Sequence, residues 1–106
     1  MIKYNKLVRD NIPEIIQKAG KKANIRIVKD EEYLSYLVKK LSEEVKEIEE
    51  NTCAEELADL ETIIRSICDY LDISKEEFEK IYNKKLKNRG GFKKGIVLES
   101  VDENER

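Results

Sequence analysis

The sequence predicts a mainly α-helical domain of the helix-hairpin or four-helix-bundle type. Three observations indicate this class. Apolar residues recur at helical spacing in four separate stretches of the 106-residue chain. Residues typical of helix starts and stops flank these stretches. A single short break, at Asn51 and Thr52, separates the two longest stretches, and so short a connection joins antiparallel helices in a hairpin.

The terminal residues mark the first two helices. Asn11 is a preferred N-cap residue, Pro13 suits the first turn of a helix, and Gly20 is a typical stop. Asp30 is expected to cap a second helix over residues 31–50. The apolar stripe of this second helix comprises Leu34, Leu37, Val38, Leu41, Val45 and Ile48.

The third helix is expected over residues 52–71, and the fourth begins after Ser74. The inward side of the third helix comprises Cys53, Leu57, Leu60, Ile64, Ile67, Cys68 and Leu71, with Ile63 and Tyr70 at its flanks. The resulting apolar arc covers about 160° of the helix. Ser74 and Glu77 have the spacing of a capping box, and Gly90 with Gly91 ends the fourth helix.

The remaining stretches are expected to be extended or irregular. Residues 1–10 lack a clear period. Residues 24–28 and 95–101 are rich in β-branched side chains, and together they allow a small two-stranded sheet. Residues 102–106 are expected to fray. A chain of this length supports one modest core, so residues 1–106 are interpreted as a single domain.

Composition excludes several classes of function. Charged residues make up 42% of the chain, and the net charge of −2 gives no general attraction to nucleic acid or anionic membranes. No apolar run approaches the roughly 20 residues of a membrane span, so a cytoplasmic protein is expected. The chain has no histidine, which removes the usual zinc ligand and the usual general base. The wide apolar arc of the third helix would be poorly covered by one chain, so a homodimer or higher homo-oligomer is expected.

Two acidic clusters flank the predicted hairpin tip. Glu43, Glu44 and Glu47 precede it, and Glu56 and Asp59 follow it. In an antiparallel hairpin, positions equally far from the tip face one another. Glu47 should therefore face Glu56, and Glu44 should face Asp59. Such a seam of like charges repels itself unless a cation lies between the carboxylates.

The position of the second cluster favours a metal site over a solvated acidic face. The first cluster alone, in the pattern EExxE, is more often a solvated face. Glu56, however, falls inside the apolar arc of its helix and Asp59 at the edge, where a carboxylate costs several kcal/mol unless it is compensated. Without histidine the ligands would be oxygens, and such a set favours Mg²⁺ or Mn²⁺ over zinc.

The same residues resemble a known family. The acidic clusters are similar to the EExxE…ExxD signature of the MazG-like all-α nucleoside triphosphate pyrophosphohydrolases. The opening YNKLVRDNIP of residues 4–13 and the closing RGGF of residues 89–92 resemble a small, single-domain, house-cleaning branch of that superfamily. The resemblance covers residues 4–99. The gap between the two acidic motifs is shorter here than is usual in the superfamily, so the hairpin is expected to be tighter.

The resemblance implies Mg²⁺-dependent hydrolysis of a nucleoside triphosphate to the monophosphate and pyrophosphate. All five acids would belong to the metal site. The shorter gap between the two acidic motifs leaves open which of Glu43 and Glu44 is a direct ligand. Because no histidine is available, Glu44 or Glu47 would orient or deprotonate the attacking water. The residues expected to contact substrate phosphates are Lys6, Arg9, Asn83, Lys85 and Arg89.

Two alternative functions remain at this stage. One is a pyrophosphohydrolase of the same superfamily with another substrate, such as phosphoribosyl-ATP. The other is a non-enzymatic helical interaction module, in which the acidic seam binds a basic partner or a structural cation. Release of pyrophosphate from nucleotides in the presence of Mg²⁺ separates the enzymes from the module.

Overall fold

A computed structural model describes residues 1–103, and the chain divides into two compact units. The first unit, Met1–Ile73, contains α1 (Ile12–Lys18), α2 (Asp30–Glu50) and α3 (Ala54–Tyr70). The second unit begins at Ser74 and contains α4 (Lys75–Arg89). The mainly α class is thereby confirmed, whereas the four-helix-bundle type stays a prediction. Of the expected frayed tail, residues 104–106 lie outside the described residues.

The predicted two-stranded sheet is wrong for the part of the chain that the structure describes. Neither residues 24–28 nor residues 95–101 form a strand. Ile25 and Ile27 are 62% and 75% exposed, and Val97 is 80% exposed. β-Branched composition favours a strand where a pleated surface is half buried, and an isolated two-stranded pair is marginally stable in water. No layer covers these segments, so their β-branched side chains have no surface to pack against and the segments form no strand.

The hairpin of α2 and α3 forms the packed part of the first unit. Tyr33, near the start of α2, and Tyr70, at the end of α3, have ring centroids 5.9 Å apart. The two helices therefore run antiparallel. At the tip, the Thr52 hydroxyl donates a hydrogen bond of 2.8 Å to the carbonyl of Ile48, which satisfies one of the free carbonyls at the end of α2. The break includes Asn51 and Thr52, as the sequence predicts, and also Cys53, which the sequence pattern places inside the third helix.

The buried residues of this hairpin are fewer than the apolar stripes predict. Leu37 and Ile63 are 3% and 7% exposed and are the buried apolar side chains of the described residues. Several side chains predicted to point inward are about half exposed, namely Val38, Val45, Leu57 and Leu71. Each helix has one packed neighbour over most of its length, so a wide arc is covered only along its centre. On α3 that centre lies at Ile63, which the sequence pattern places at the flank.

Helix capping agrees with the sequence at α4 and differs at the other predicted caps. The Ser74 hydroxyl accepts a hydrogen bond of 3.1 Å from the Glu77 amide, as the capping box predicts. Asn11 precedes α1, but its side chain makes no capping hydrogen bond. Lys29 occupies the N-cap position of α2, and Asp30 is the first helical residue. The Asp30 carboxylate still favours the helix there, since the first turn has positive dipole character.

The second unit buries none of its described side chains. The apolar stripe of α4 is 41–55% exposed and comprises Phe78, Ile81, Tyr82 and Leu86. Gly90 ends α4 with a φ of 82°, a conformation that L residues rarely adopt. Among the described residues, no helix is both long enough and apolar enough to cross a membrane.

Candidate metal centre

The α2–α3 hairpin brings three carboxylates of the predicted site together. Ile63 marks the buried centre of α3, and Asp59 and Glu56 lie four and seven residues before it, on the same helix face. On α2, Glu44 lies seven residues after the buried Leu37, again on the same face. Helical spacing from the two core residues therefore directs all three acids into the seam between the helices.

The three carboxylates are close enough to share one cation. One oxygen each of Glu44, Glu56 and Asp59 lies within 4.8 Å of the other two. Glu44 is only 9% exposed, and its Oε2 is buried without a hydrogen-bond partner among the described residues. A buried acceptor without a partner costs about 1–3 kcal/mol, and native structures contain few of them. This orphaned oxygen distinguishes the cluster from an ordinary acidic surface.

The environment of Glu44 disfavours its charged form. Burial raises the pKa of the Glu44 carboxyl above its ordinary value of 4.5, and the neighbouring charges of Asp59 and Glu56 raise it further. The charge of Lys40 opposes the shift. Glu44 thus carries the electrostatic cost of the seam, as expected for a buried carboxylate beside like charges.

A basic strap, defined here as residues 6–10, lies beside the three carboxylates. The strap and the two helices line a cleft of about 450 Å³ whose walls include Lys6, Arg9, Glu44 and Asp59. Arg9 Nη2 donates a hydrogen bond of 2.6 Å to Asp59 Oδ1 and another of 3.2 Å to Thr62 Oγ1. Lys6 Nζ lies 3.6 Å from Glu43 Oε1. The N-terminal cations predicted from the sequence therefore meet the acidic seam.

The other two predicted acids have different surroundings. Glu43 Oε1 also lies 3.4 Å from Lys40 Nζ, so its carboxylate is paired with two lysines and lies outside the group of three. Glu47 is exposed and is likewise outside that group. Three residues advance a helix by about 300°, so Glu47 lies about 60° around α2 from Glu44, and its side chain is exposed. The direct-ligand geometry thus favours Glu44 over Glu43.

The remaining predicted phosphate contacts lie on α4. Asn83, Lys85 and Arg89 are exposed residues of the second unit. Their role at a phosphate stays a prediction.

Thr62 is a residue at the cleft that the sequence reasoning missed. Its hydroxyl accepts from Arg9 and donates a hydrogen bond of 2.8 Å to the carbonyl of Ala58. It lies three residues after Asp59, so the two side chains are neighbours on the helix surface. The spacing of three residues could have identified Thr62 from the sequence, because a basic side chain that binds Asp59 can also contact Thr62.

Replacing Glu44 by glutamine should stabilise the metal-free protein in a pH-dependent way. The raised pKa of Glu44 makes the folded state hold this proton more tightly than the unfolded state. Its contribution to stability is therefore present below the ordinary value of 4.5 and is lost as pH rises through the raised folded pKa. We expect Glu44→Gln and the parent to be nearly equal at low pH, and the variant to be about 1 kcal/mol more stable near neutral pH. Denaturant melts in EDTA across this range measure the difference.

Glu43→Gln is the matched control for that experiment. It changes the adjacent glutamate in the same manner but removes a paired carboxylate, so we expect no gain in stability near neutral pH. Equal effects of the two substitutions at every pH would show that Glu44 carries no special cost.

Comparison with known proteins finds one relative that matches part of the chain. The chain is 50% identical over 42 residues to an uncharacterized protein of Mycolicibacterium smegmatis, a match that covers 40% of the chain and 43% of that protein. The chain thus spans less than half the length of the curated relative that it matches. No family model and no solved structure matches the chain. The relative's name states no activity, so function is inferred from the site itself.

Proposed function

We propose that the protein is a Mg²⁺-dependent nucleoside triphosphate pyrophosphohydrolase that releases the monophosphate and pyrophosphate. The observation that carries this proposal is the group of Glu44, Glu56 and Asp59, with Glu44 Oε2 buried and unpartnered, beside two cations in one cleft. Carboxylates that hold a divalent cation next to basic side chains are suited to bind a polyphosphate. The MazG-like resemblance of the same residues supports this reaction and a house-cleaning role toward non-canonical or excess nucleotides.

The donor set fits magnesium or manganese. All three groups offer hard oxygen ligands, and neither histidine nor a thiol belongs to the group. Glu44, Glu56 and Asp59 would hold the cation. The unpartnered Oε2 of Glu44 supports this fit, since a buried carboxylate oxygen needs a positive or hydrogen-bonding partner.

The residues of the cleft divide the chemistry among them. When bound, Mg²⁺ would supply positive charge against the phosphate oxygens in the transition state. Arg9 and Lys6 would contact the phosphates, and the planar guanidinium of Arg9 suits a bidentate contact. Glu44 or Glu47 would orient the attacking water and accept its proton, since the chain has no histidine to act as the base.

Pyrophosphate release tests the reaction directly. The protein should release pyrophosphate from at least one member of a panel of canonical and modified nucleoside triphosphates in Mg²⁺ or Mn²⁺. Phosphoribosyl-ATP belongs in the panel because it is the alternative substrate within the same superfamily. Absence of release from every compound with either cation would favour the non-enzymatic module.

Magnesium should stabilise the fold, and zinc should have no special effect. A cation that binds only the native state adds RT ln(1 + [L]/Kd), or about 1–3 kcal/mol at a modest excess over Kd. Thermal melts with EDTA, Mg²⁺, Mn²⁺ and Zn²⁺ measure this gain, which Glu56→Gln should reduce. A melting temperature that millimolar Mg²⁺ leaves unchanged would argue against the metal site.

We also propose that the protein assembles as a homodimer or higher homo-oligomer through helix packing. The half-exposed apolar side chains on each of the three longer helices support this, as they leave apolar surface for a second copy to cover. Light scattering at tens of micromolar protein should give at least twice the mass of one chain. A monomer at that concentration would contradict the assembly.

A further inference from the structure

The ion pair between Arg9 and Asp59 affects how a cation can bind to the three carboxylates. Arg9 Nη2 lies 2.6 Å from Asp59 Oδ1, and Asp59 is one of the three carboxylates that lie within 4.8 Å of one another. A guanidinium bound to a carboxylate offsets the charge that would attract a metal ion and occupies one of its oxygens. Arg9 therefore already acts as the counter-ion of Asp59 in this structure.

Arg9 does not neutralise the whole group. Glu44 Oε2 remains buried without a partner, and none of the ion pairs within residues 1–103 includes Glu56. Asp59 is thus compensated while Glu44 and Glu56 are not. A cation in the seam would relieve the charge of Glu44 and Glu56, and at Asp59 it would compete with Arg9, which already binds Oδ1.

We propose that Arg9 is a built-in competitor of the cation at Asp59 and that it transfers to a substrate phosphate when the cation binds. This inference rests on the proposed function. Once a cation binds Asp59, the guanidinium of Arg9 is released but still lines the same cleft. A phosphate bound there can pair with it, because the planar guanidinium matches the geometry of phosphate oxygens. The site thereby favours the complex of cation and polyphosphate over the free cation. Arg9 couples the two binding events, and the coupling acts in both directions.

Binding of Mn²⁺ alone, followed by electron paramagnetic resonance of the free ion, tests the competition without any reaction. Arg9→Met should bind Mn²⁺ about fivefold more tightly than the parent, the effect expected for loss of one partly exposed charge pair. Lys6→Met is the matched control, because it also removes one positive charge from the strap. Lys6 is paired with Glu43, however, and not with Asp59. Its effect should be clearly smaller.

Thr62→Val supplies a second variant in which no charge changes. It keeps the side-chain volume but removes the second acceptor of Arg9, so the guanidinium is held less firmly at Asp59. Mn²⁺ should bind this variant more tightly than the parent, by about twofold. If Arg9→Met fails to fold, as judged by circular dichroism, Thr62→Val decides the question.

Inorganic tripolyphosphate tests the transfer to phosphate without requiring a base. Its affinity is measured with and without saturating Mn²⁺, and the ratio of the two affinities reports the coupling. The ratio should be about fivefold larger for the parent than for Arg9→Met. Formation of the metal–polyphosphate complex in solution contributes equally to both proteins and cancels in the comparison.

The outcomes separate this inference from the proposed function. Mn²⁺ binding that is equal in the parent, Arg9→Met and Thr62→Val would overturn the competition and leave the metal site standing. Equal gains in Arg9→Met and Lys6→Met would also overturn it, since only the general charge of the strap would then matter. Absence of Mn²⁺ binding in the parent and in every variant would overturn both the inference and the metal site.

Discussion

Glu56→Gln should reduce hydrolysis by two or more orders of magnitude, a deficit of about 3 kcal/mol in transition-state stabilisation. The substitution keeps the volume of the side chain but removes one of three charges that would hold the cation. Steady-state release of pyrophosphate from the best substrate of the panel measures the loss. Glu55→Gln is the matched control, because it changes the adjacent, exposed glutamate of the same helix and should leave kcat/KM nearly unchanged.

Stability of the same variant separates a metal site from a structural ion pair by sign. Glu56 takes part in none of the ion pairs of the described residues, so its removal leaves no basic partner unpaired. In EDTA the variant should be as stable as the parent or about 0.5–2 kcal/mol more stable, since a like charge is gone. Loss of stability in EDTA together with retained hydrolysis would end the metal-site proposal.

Asp59→Asn is a less clear test than Glu56→Gln. Asp59 is paired with Arg9, and the two side chains are 39% and 57% exposed. Loss of a pair at that exposure costs about 0–1 kcal/mol, which opposes the gain from relieving the repulsion with Glu44. The two effects would partly cancel in a denaturant melt, so Glu56 is the better choice.

Lys85→Ala and Arg89→Ala should each lower kcat/KM by a factor that corresponds to about 2–4 kcal/mol. The expected reason is loss of a charged contact to the transferring phosphate, which the MazG-like resemblance of α4 implies. Initial rates at subsaturating substrate give kcat/KM directly, and light scattering checks that the assembly is unchanged. Since alanine removes side-chain bulk as well as charge, the comparison needs a control with the same change.

Lys84→Ala and Lys87→Ala provide that control on the same helix. Both are exposed lysines of α4, so they remove the same charge from the same unit. We expect less than about a threefold change in kcat/KM, or roughly 0.7 kcal/mol. If Lys85→Ala and Arg89→Ala change the rate no more than these controls, the phosphate is bound elsewhere, and Lys6 with Arg9 is the next pair to test.

The helices of this protein were predictable because their signals are local. The capping box at Ser74, the proline near the start of α1 and the break at Asn51 each act over one turn of chain. That residues 24–28 and 95–101 form no strand was not predictable, because a strand needs a partner and a covering layer that the local pattern does not reveal. Likewise, the buried centre of α3 at Ile63 depends on where α2 contacts it. Helical periodicity alone gives a wide apolar arc and does not indicate which residue of that arc is most buried.

The site was predictable to the extent that register in the hairpin was predictable. Distance from the tip placed Glu44 opposite Asp59, and the two do belong to one group. The exposed position of Glu47 depends on helix rotation, which a residue count from the tip ignores. The pairing of Arg9 with Asp59 depends on the path of an irregular strap, and no periodic signal describes such a path.

The orphaned oxygen of Glu44 bears on how this protein would respond to selection in the laboratory. A library screened for heat resistance in the presence of a chelator would reward any substitution that removes a buried, unsatisfied charge. Neutral or apolar residues at position 44 should therefore rise early among the survivors, and those survivors should be the ones that have lost turnover. Adding Mg²⁺ to the same screen should reverse the ranking, because the wild-type carboxylate would then have its partner. Thermostable variants that keep their activity should instead be found on the exposed apolar faces, away from this seam.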